Sequence, residues 1–256
     1  MTREAVIVDC ARSAFGKRKG ALAEWHPTDL LGLVLRTIVE RNDLDPMLID
    51  DVVGGCVTQA GEQGCNVTRN AWVAGGLPWQ VPATSVDRQC GSSQQAVHFV
   101  AQGVLAGAYD IAIACGVESM TRAPMSSNAR GGVGPFSGEF LTQTNNTLGI
   151  QFWVAQVLAD KWGITREEMD AYALQSHQRA AENTRNGFFA GEIVPVPVAG
   201  GSVLSEDEGI RADASLEKIA SLAPAWDSDD QPAPNITAAN SSQMTDGAAA
   251  MIIASA

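Results

Sequence analysis

The sequence predicts an α/β layered fold whose sheet is interrupted by a long insertion. Three observations point to it. Short apolar runs alternate with helix-period segments through the first 118 residues. The run 110–115 (DIAIAC) is apolar on both faces, the pattern of an interior strand. A second such run, 248–254 (AAAMIIA), returns only after a stretch of different character.

The elements follow in order. Residues 5–9 (AVIVD) form a first strand. Residues 28–41 carry helical spacing at Leu30, Leu31, Val34, Leu35 and Ile38, with Thr28 as the expected N-cap. A second strand spans 51–57 (DVVGGCV). A helix spans 66–74 and ends at Gly75-Gly76. A short strand at 82–87 (PATSVD) leads to a helix of small and apolar residues at 91–105. That helix carries too few polar positions for a surface helix, so an apolar face of it is expected to stay exposed in this chain by itself. The strand 110–115 closes the first part.

The insertion begins near residue 120. Residues 120–149 are rich in Gly, Ser, Asn, Thr and Pro and read as an extended loop. A helix is expected at 151–162. Thr165-Arg166-Glu167-Glu168 reads as a capping box opening a helix that runs to about Arg185 and ends at Gly187. Residues 198–209 and 224–235 read as loops. The expected domains are a core of 1–119 plus 236–256 and an inserted domain of 120–235.

Composition narrows the function. Hydrophobic residues make up 45% of the 256 residues, enough for a sizeable core. The formal net charge of −12 shows no basic footprint for nucleic acid. No apolar run approaches the ~20 residues of a membrane span, and the N-terminus is not that of a signal peptide. Five cysteines (Cys10, Cys56, Cys65, Cys90, Cys115) include no C-x-x-C pair, which argues against a disulfide framework or zinc site. A reducing cytoplasm with mostly buried thiols is expected. No strand precedes a G-x-G-x-x-G turn, which disfavours a dinucleotide-binding dehydrogenase.

Cys90 stands apart. In 85–93 (SVDRQCGSS) a strand ends, a turn follows, and the thiol opens a helix. The helix dipole and unpaired N–H groups there favour the thiolate, and the same donors suit an oxyanion. The local pattern equally fits a structural cysteine in tight strand–helix packing. A cysteine nucleophile needs a base, and three histidines are present. His98 lies eight residues along the same helix, hence ~12 Å along its axis. His177 reads as part of a solvated helix face, and His26 as a capping or loop residue.

Six collinear segments carry a resemblance: 11–17 (ARSAFGK), 61–69 (GEQGCNVTR), 86–93 (VDRQCGSS), 116–120 (GVESM), 193–195 (IVP) and 240–250 (NSSQMTDGAAA). With them the chain resembles the thiolase family, acetyl-CoA acyltransferases and acetyltransferases, over essentially its whole length. The resemblance implies the N-terminal half of the thiolase fold, a mixed sheet layered with helices and interrupted by a mostly helical loop domain. It implies that Cys90 accepts the acyl group and that the insertion holds coenzyme A. It assigns Ser242, with Ala238 in the same stretch, to the pantetheine chain, and Arg211 to the nucleotide end. Coenzyme A is then a substrate, and no further cofactor is expected.

The departures from the family pattern also carry meaning. Thiolases have a second half with Asn-Glu-Ala-Phe, Gly-His-Pro and Cys-x-Gly segments, which supply an oxyanion-hole Asn, the activating His and a second Cys. None of the three occurs here. The expectation is a half that needs its C-terminal counterpart in cis or in trans, and that is inactive alone. Ile150-Gln151-Phe152 stands where short-chain members carry His-Met-Gly, which favours a degradative 3-ketoacyl-CoA thiolase of lipid β-oxidation. Asp87 replaces a common Asn and Cys115 a common Gly. A homodimer or homotetramer is expected, with core sheets paired across a two-fold axis. The alternative is a non-catalytic CoA- or acyl-binding half that assembles with a partner chain.

Overall fold

The computed structural model describes residues 3–256. Along the chain, β1 (Ala5–Ser13) and the short β2 (Gly16–Lys17) lead to α1 (Pro27–Arg41). Next come β3 (Asp51–Gly55), α2 (Val67–Ala74), β4 (Ala83–Val86), α3 (Ser92–Leu105) and β5 (Ile111–Ser119). They are followed by α4 (Gly138–Gln143), α5 (Gln151–Trp162), α6 (Arg166–Arg185), β6 (Ile193–Val194), β7 (Val196–Pro197) and β8 (Val203–Leu204). The last two elements are α7 (Leu216–Ala220) and β9 (Thr245–Ser255). The chain divides into two compact units, residues 3–128 with 189–209 and 244–256, and residues 129–188 with 210–243.

The first unit is built on a mixed seven-stranded sheet with strand order β4-β3-β5-β9-β1-β6, β2 pairing with β9. β3 runs parallel to β4 and β5. β9 runs antiparallel between β5 and β1, so 248–254 does return to the sheet, and to its middle. The two-faced apolar pattern of β5 now has its cause. Ile113, Cys115 and Val117 face a core shared with Leu31, Leu35 and Trp72 of α1 and α2. Ala112 and Ala114 face the other core, with Ala96, Val100 and Val104 of α3. Each fully buried aliphatic side chain contributes roughly 1.5–3 kcal/mol. On α3 only one stripe is covered; Phe99 and Leu105 remain exposed, in keeping with the expected exposed apolar face of this helix.

Local chemistry shifts some boundaries. The cap of α1 is His26, not Thr28: its Nδ1 accepts from the Thr28 N–H at 3.3 Å, and Pro27 occupies the first turn. Proline lacks an N–H, so the ring nitrogen satisfies the next available donor. The stretch 120–149 is not all loop, because Ser137 caps α4 through the Phe140 N–H. Residues 198–209 contain β8, which forms a hairpin with β7. Residues 189–209 belong to the first unit because β6 extends the sheet at Arg12 and Ser13. Arg12 fastens them, donating to both carboxylate oxygens of Asp207 at 2.7 and 3.1 Å and to Glu192 at 2.7 Å.

In the second unit the capping box of α6 is present in both directions between Thr165 and Glu168. Arg166 donates to Asp170 at 2.7 Å and to the Ile219 and Leu222 carbonyls, which ties α6 to α7. Asp170 is buried and also accepts from Asn240 Nδ2 at 3.2 Å. Asn240 in turn accepts from the Thr237 N–H and donates to the Asn235 carbonyl, closing the turn that precedes β9.

α3 packs closely against the sheet at its first turn. A Cβ on Gly55 would meet the backbone of Ser92 and Ser93, and one on Gly116 would meet the Ser93 side chain and the Gly55 carbonyl. Gly55 and Gly116 are register partners on β3 and β5. Gly55→Ala is expected to lower stability by about 1–3 kcal/mol, the usual cost of overpacking. Urea denaturation followed by circular dichroism measures it; an unchanged midpoint would show that the α3 start can shift freely.

Candidate active site

Cys90 sits between β4 and α3 in a turn braced by its neighbours. Asp87 Oδ1 accepts from the Gln89 N–H at 2.7 Å. Ser92 Oγ accepts from the Arg88 N–H at 3.0 Å and donates to the Gln89 carbonyl at 2.6 Å. Gln89 has φ = 50°, a left-handed conformation that a residue with a Cβ adopts only when its surroundings enforce it. The result is a sharp strand–turn–helix corner with Cys90 exposed at its tip, one residue before the N-cap Gly91. Gly91 makes no side-chain cap hydrogen bond. Cys90 thus lies just ahead of the N-terminus of α3, the positive end of the helix dipole.

The neighbouring strand ends are held by a carboxylate. Glu118 accepts from the Val57 N–H at 2.8 Å, the Thr58 N–H at 3.1 Å and Gln63 Nε2 at 2.8 Å. Gln63 is fully buried and accepts from the Ser119 N–H at 2.6 Å. This network fixes the segment after β3 against the end of β5. Sequence reasoning missed it; the Glu and Gln of GVESM and GEQG were its only signal, and their 55-residue separation hides the contact. The same network explains Cys56. Burial first, and the nearby Glu118 charge second, push its thiol up to about 12. Burial alone pushes Cys115 up to about 12. Cys10, Cys65 and Cys90 are exposed, so the thiols are not mostly buried as the composition had implied.

The histidines have other engagements. His26 caps α1 and lies 3.7 Å from Glu62. His98 lies on the exposed side of α3. His177 does not sit on a solvated face: it is half-buried and lines a cavity of the second unit. That cavity measures about 670 Å³ and lies between α6 and the turn 239–243. Met169, Tyr172 and Ala173 supply an apolar wall, and Asn240, Ser241 and Ser242 a polar one. Ser242 thus lines the cavity, whereas Ala238 is exposed and is not among its lining residues. Arg211 is exposed, and its backbone N–H donates to His177 Nδ1 at 3.2 Å. Burial, and secondarily Arg211, lower the His177 pKa from its ordinary value.

A family model described as the N-terminal domain of thiolase matches residues 5–256. The chain belongs to the thiolase family. It is 42% identical to a steroid 3-ketoacyl-CoA thiolase of Mycobacterium tuberculosis, over 98% of this chain and 62% of that protein. It is 37% identical to a 3-ketoacyl-CoA thiolase of Bacillus subtilis, over 98% of this chain and 66% of the relative. For a 3-ketoacyl-CoA thiolase of Saccharophagus degradans the figures are 38%, 99% and 64%. The chain therefore spans somewhat less than two thirds of the length of these thiolases. Among the described residues no helix is long and apolar enough to cross a membrane.

The corner geometry generates a reactivity order for this thiolase chain. Iodoacetamide at pH 8 is expected to label Cys90 ahead of Cys10 and Cys65, which are also exposed, and to leave Cys56 and Cys115 untouched in the folded protein. Peptide mass mapping against time reads the order; Cys10 or Cys65 reacting first would contradict it.

Proposed function

We propose that this chain is the nucleophile-bearing part of a degradative 3-ketoacyl-CoA thiolase, with Cys90 as acyl carrier. The Cys90 thiolate attacks the 3-keto carbon, and the resulting oxyanion collapses with cleavage of the C2–C3 bond. Acetyl-CoA leaves as its enolate and takes a proton. The thiol of a second CoA then attacks the Cys90 thioester, and the longer acyl group departs as acyl-CoA. The observation that carries this reading is the exposed thiol on a braced corner at the start of α3.

In this reading the second-unit cavity receives coenzyme A, with Ser242 and Ala238 along the pantetheine and Arg211 at the nucleotide end. The cavity's size and its pairing of an apolar wall with a polar one suit a long amphiphilic ligand. The similarity to a steroid 3-ketoacyl-CoA thiolase of Mycobacterium tuberculosis makes a bulky, steroid-derived acyl group one substrate to try. The activating base and the second acid/base belong to a C-terminal half in cis or in trans, within a homodimer or homotetramer. A cytoplasmic place in lipid degradation follows from the same reading.

Residues 1–256 alone are expected to give no measurable thiolysis. Loss of general-base assistance costs about 10²–10⁴-fold, and loss of an oxyanion donor about 10²–10³-fold. Slow acylation of Cys90 by an acyl-CoA survives, and intact-mass spectrometry detects the adduct, which Cys90→Ser abolishes. Loss of 3-ketoacyl-CoA absorbance, with fatty and steroid side-chain substrates, measures turnover. Robust turnover by the wild-type chain would show that a base lies within these residues. CoA binding with no acylation at all would favour the non-catalytic binding half instead.

A further inference from the structure

With the second-unit cavity read as the seat of coenzyme A, we propose that His177 is a positioning residue of that seat. Its neutral imidazole holds the Arg211 turn against α6, so CoA affinity falls when the ring is protonated. The tie is the hydrogen bond from the Arg211 N–H to His177 Nδ1 at 3.2 Å. An Nδ1 that accepts carries a lone pair, so the ring's single proton is on Nε2. A second proton would land on Nδ1 and set two N–H groups against each other. The bond is then lost and a repulsion replaces it.

What the bond holds is the start of a short, otherwise exposed segment. The Ala214 N–H donates to the Arg211 carbonyl at 3.1 Å, closing a turn, and Ser215 then caps α7 through the Lys218 N–H at 3.3 Å. His177 itself lines the cavity with Ser176 and Tyr172. One side chain thus contributes to the cavity wall and anchors the segment carrying the exposed Arg211 guanidinium. Without this bond the Arg211 end of the segment, which Arg166 holds to α6 only further on at Ile219 and Leu222, would sample more positions, and an anionic group would have to immobilise it on binding.

The charges around the ring favour its neutral form. Burial and the Arg211 charge both act against the imidazolium. The positions one turn away on α6 are Ala173, Leu174, Ala180 and Ala181, all uncharged. The cavity segment 239–243 carries no ionisable side chain. Asp213, beyond Arg211, is engaged by Lys218 at 2.9 Å, and of the α7 charges Glu217 and Lys218 the latter is that partner. Glu168 lies at the far end of the cavity wall, in the first turn of α6. A native pKa below the unfolded value of 6.5 means that the unfolded chain binds more protons. This contribution to stability is therefore present above pH 6.5 and is lost as the pH falls toward and through the lowered native value.

The experiment has two readouts on the same chain. Nitrogen-15 NMR titration of the wild-type chain between pH 8 and 5 should show the Nε2–H tautomer of His177 at high pH. The Arg211 amide should lose its exchange protection with the same midpoint, below 6.5. Calorimetric titration with CoA should show affinity about tenfold weaker at pH 5.5 than at pH 7.5, the scale of one hydrogen bond. His177→Gln, whose Oε1 accepts the same N–H but does not titrate, should bind CoA more tightly than His177→Ala at pH 7.5 and lose the difference between the two pH values. It also corrects for protonation of CoA itself. His177→Ala should bind weakly at both, with circular dichroism confirming its fold. An Arg211 amide indifferent to the titration overturns the proposal. So does a glutamine variant with the wild-type pH dependence, or affinity that rises in acid. No CoA binding by wild type at either pH overturns the reading of the cavity and the ligand part of this proposal, while the amide still decides the tie.

Discussion

The approach of α3 to the sheet is the contact on which the candidate active site depends. Two glycines that pair across β3 and β5, Gly55 and Gly116, leave no side chain under the first turn of the helix. Ser92 and Ser93 can therefore rest on the strands themselves. That fixes where β4 must end and how sharply the chain must turn, and the left-handed Gln89 absorbs the turn. Cys90 is exposed as a consequence of this geometry. A larger residue at either glycine would displace the helix start and the thiol with it.

Glu118 secures the same region from the side. A carboxylate half-removed from water must find donors, and it takes two backbone N–H groups and the buried Gln63 amide. The arrangement makes the segment after β3 part of the rigid frame. Its low-dielectric surroundings, together with the Glu118 charge, also silence Cys56, which is buried while Cys90 of the same unit is exposed.

In the second unit, the buried Asp170 plays the equivalent part. It accepts from Arg166 on its own helix and from Asn240 on the distant turn. Removing Arg166 would leave the buried carboxylate without its countercharge, and removing Asn240 would leave one of its oxygens without that donor. The cavity between α6 and 239–243 is kept open by this link. Asn240, read from sequence only as part of a motif, is thereby a structural member of the cavity wall.

Much of the secondary structure was determined by the sequence itself, because its causes are local. The 3.6 spacing of Leu30 to Ile38, the Thr165–Glu168 box and the two-faced run of β5 each act within a few residues. Cys90 likewise stands out from its local strand–turn–helix pattern, whereas Ser242 and Arg211 are marked only by the resemblance to the family. Other features arise from residues far apart in sequence and needed the tertiary structure. His26 displaced Thr28 as a cap because Pro27 removed a donor. Cys10 and Cys65 proved exposed because exposure depends on what packs nearby. The Glu118–Gln63 bond joins residues 55 apart, and the His177–Arg211 bond residues 34 apart. Periodicity reports which face of an element is apolar. Only closure of the chain decides which polar groups meet once those faces are buried, since each must then find a partner within about 3 Å.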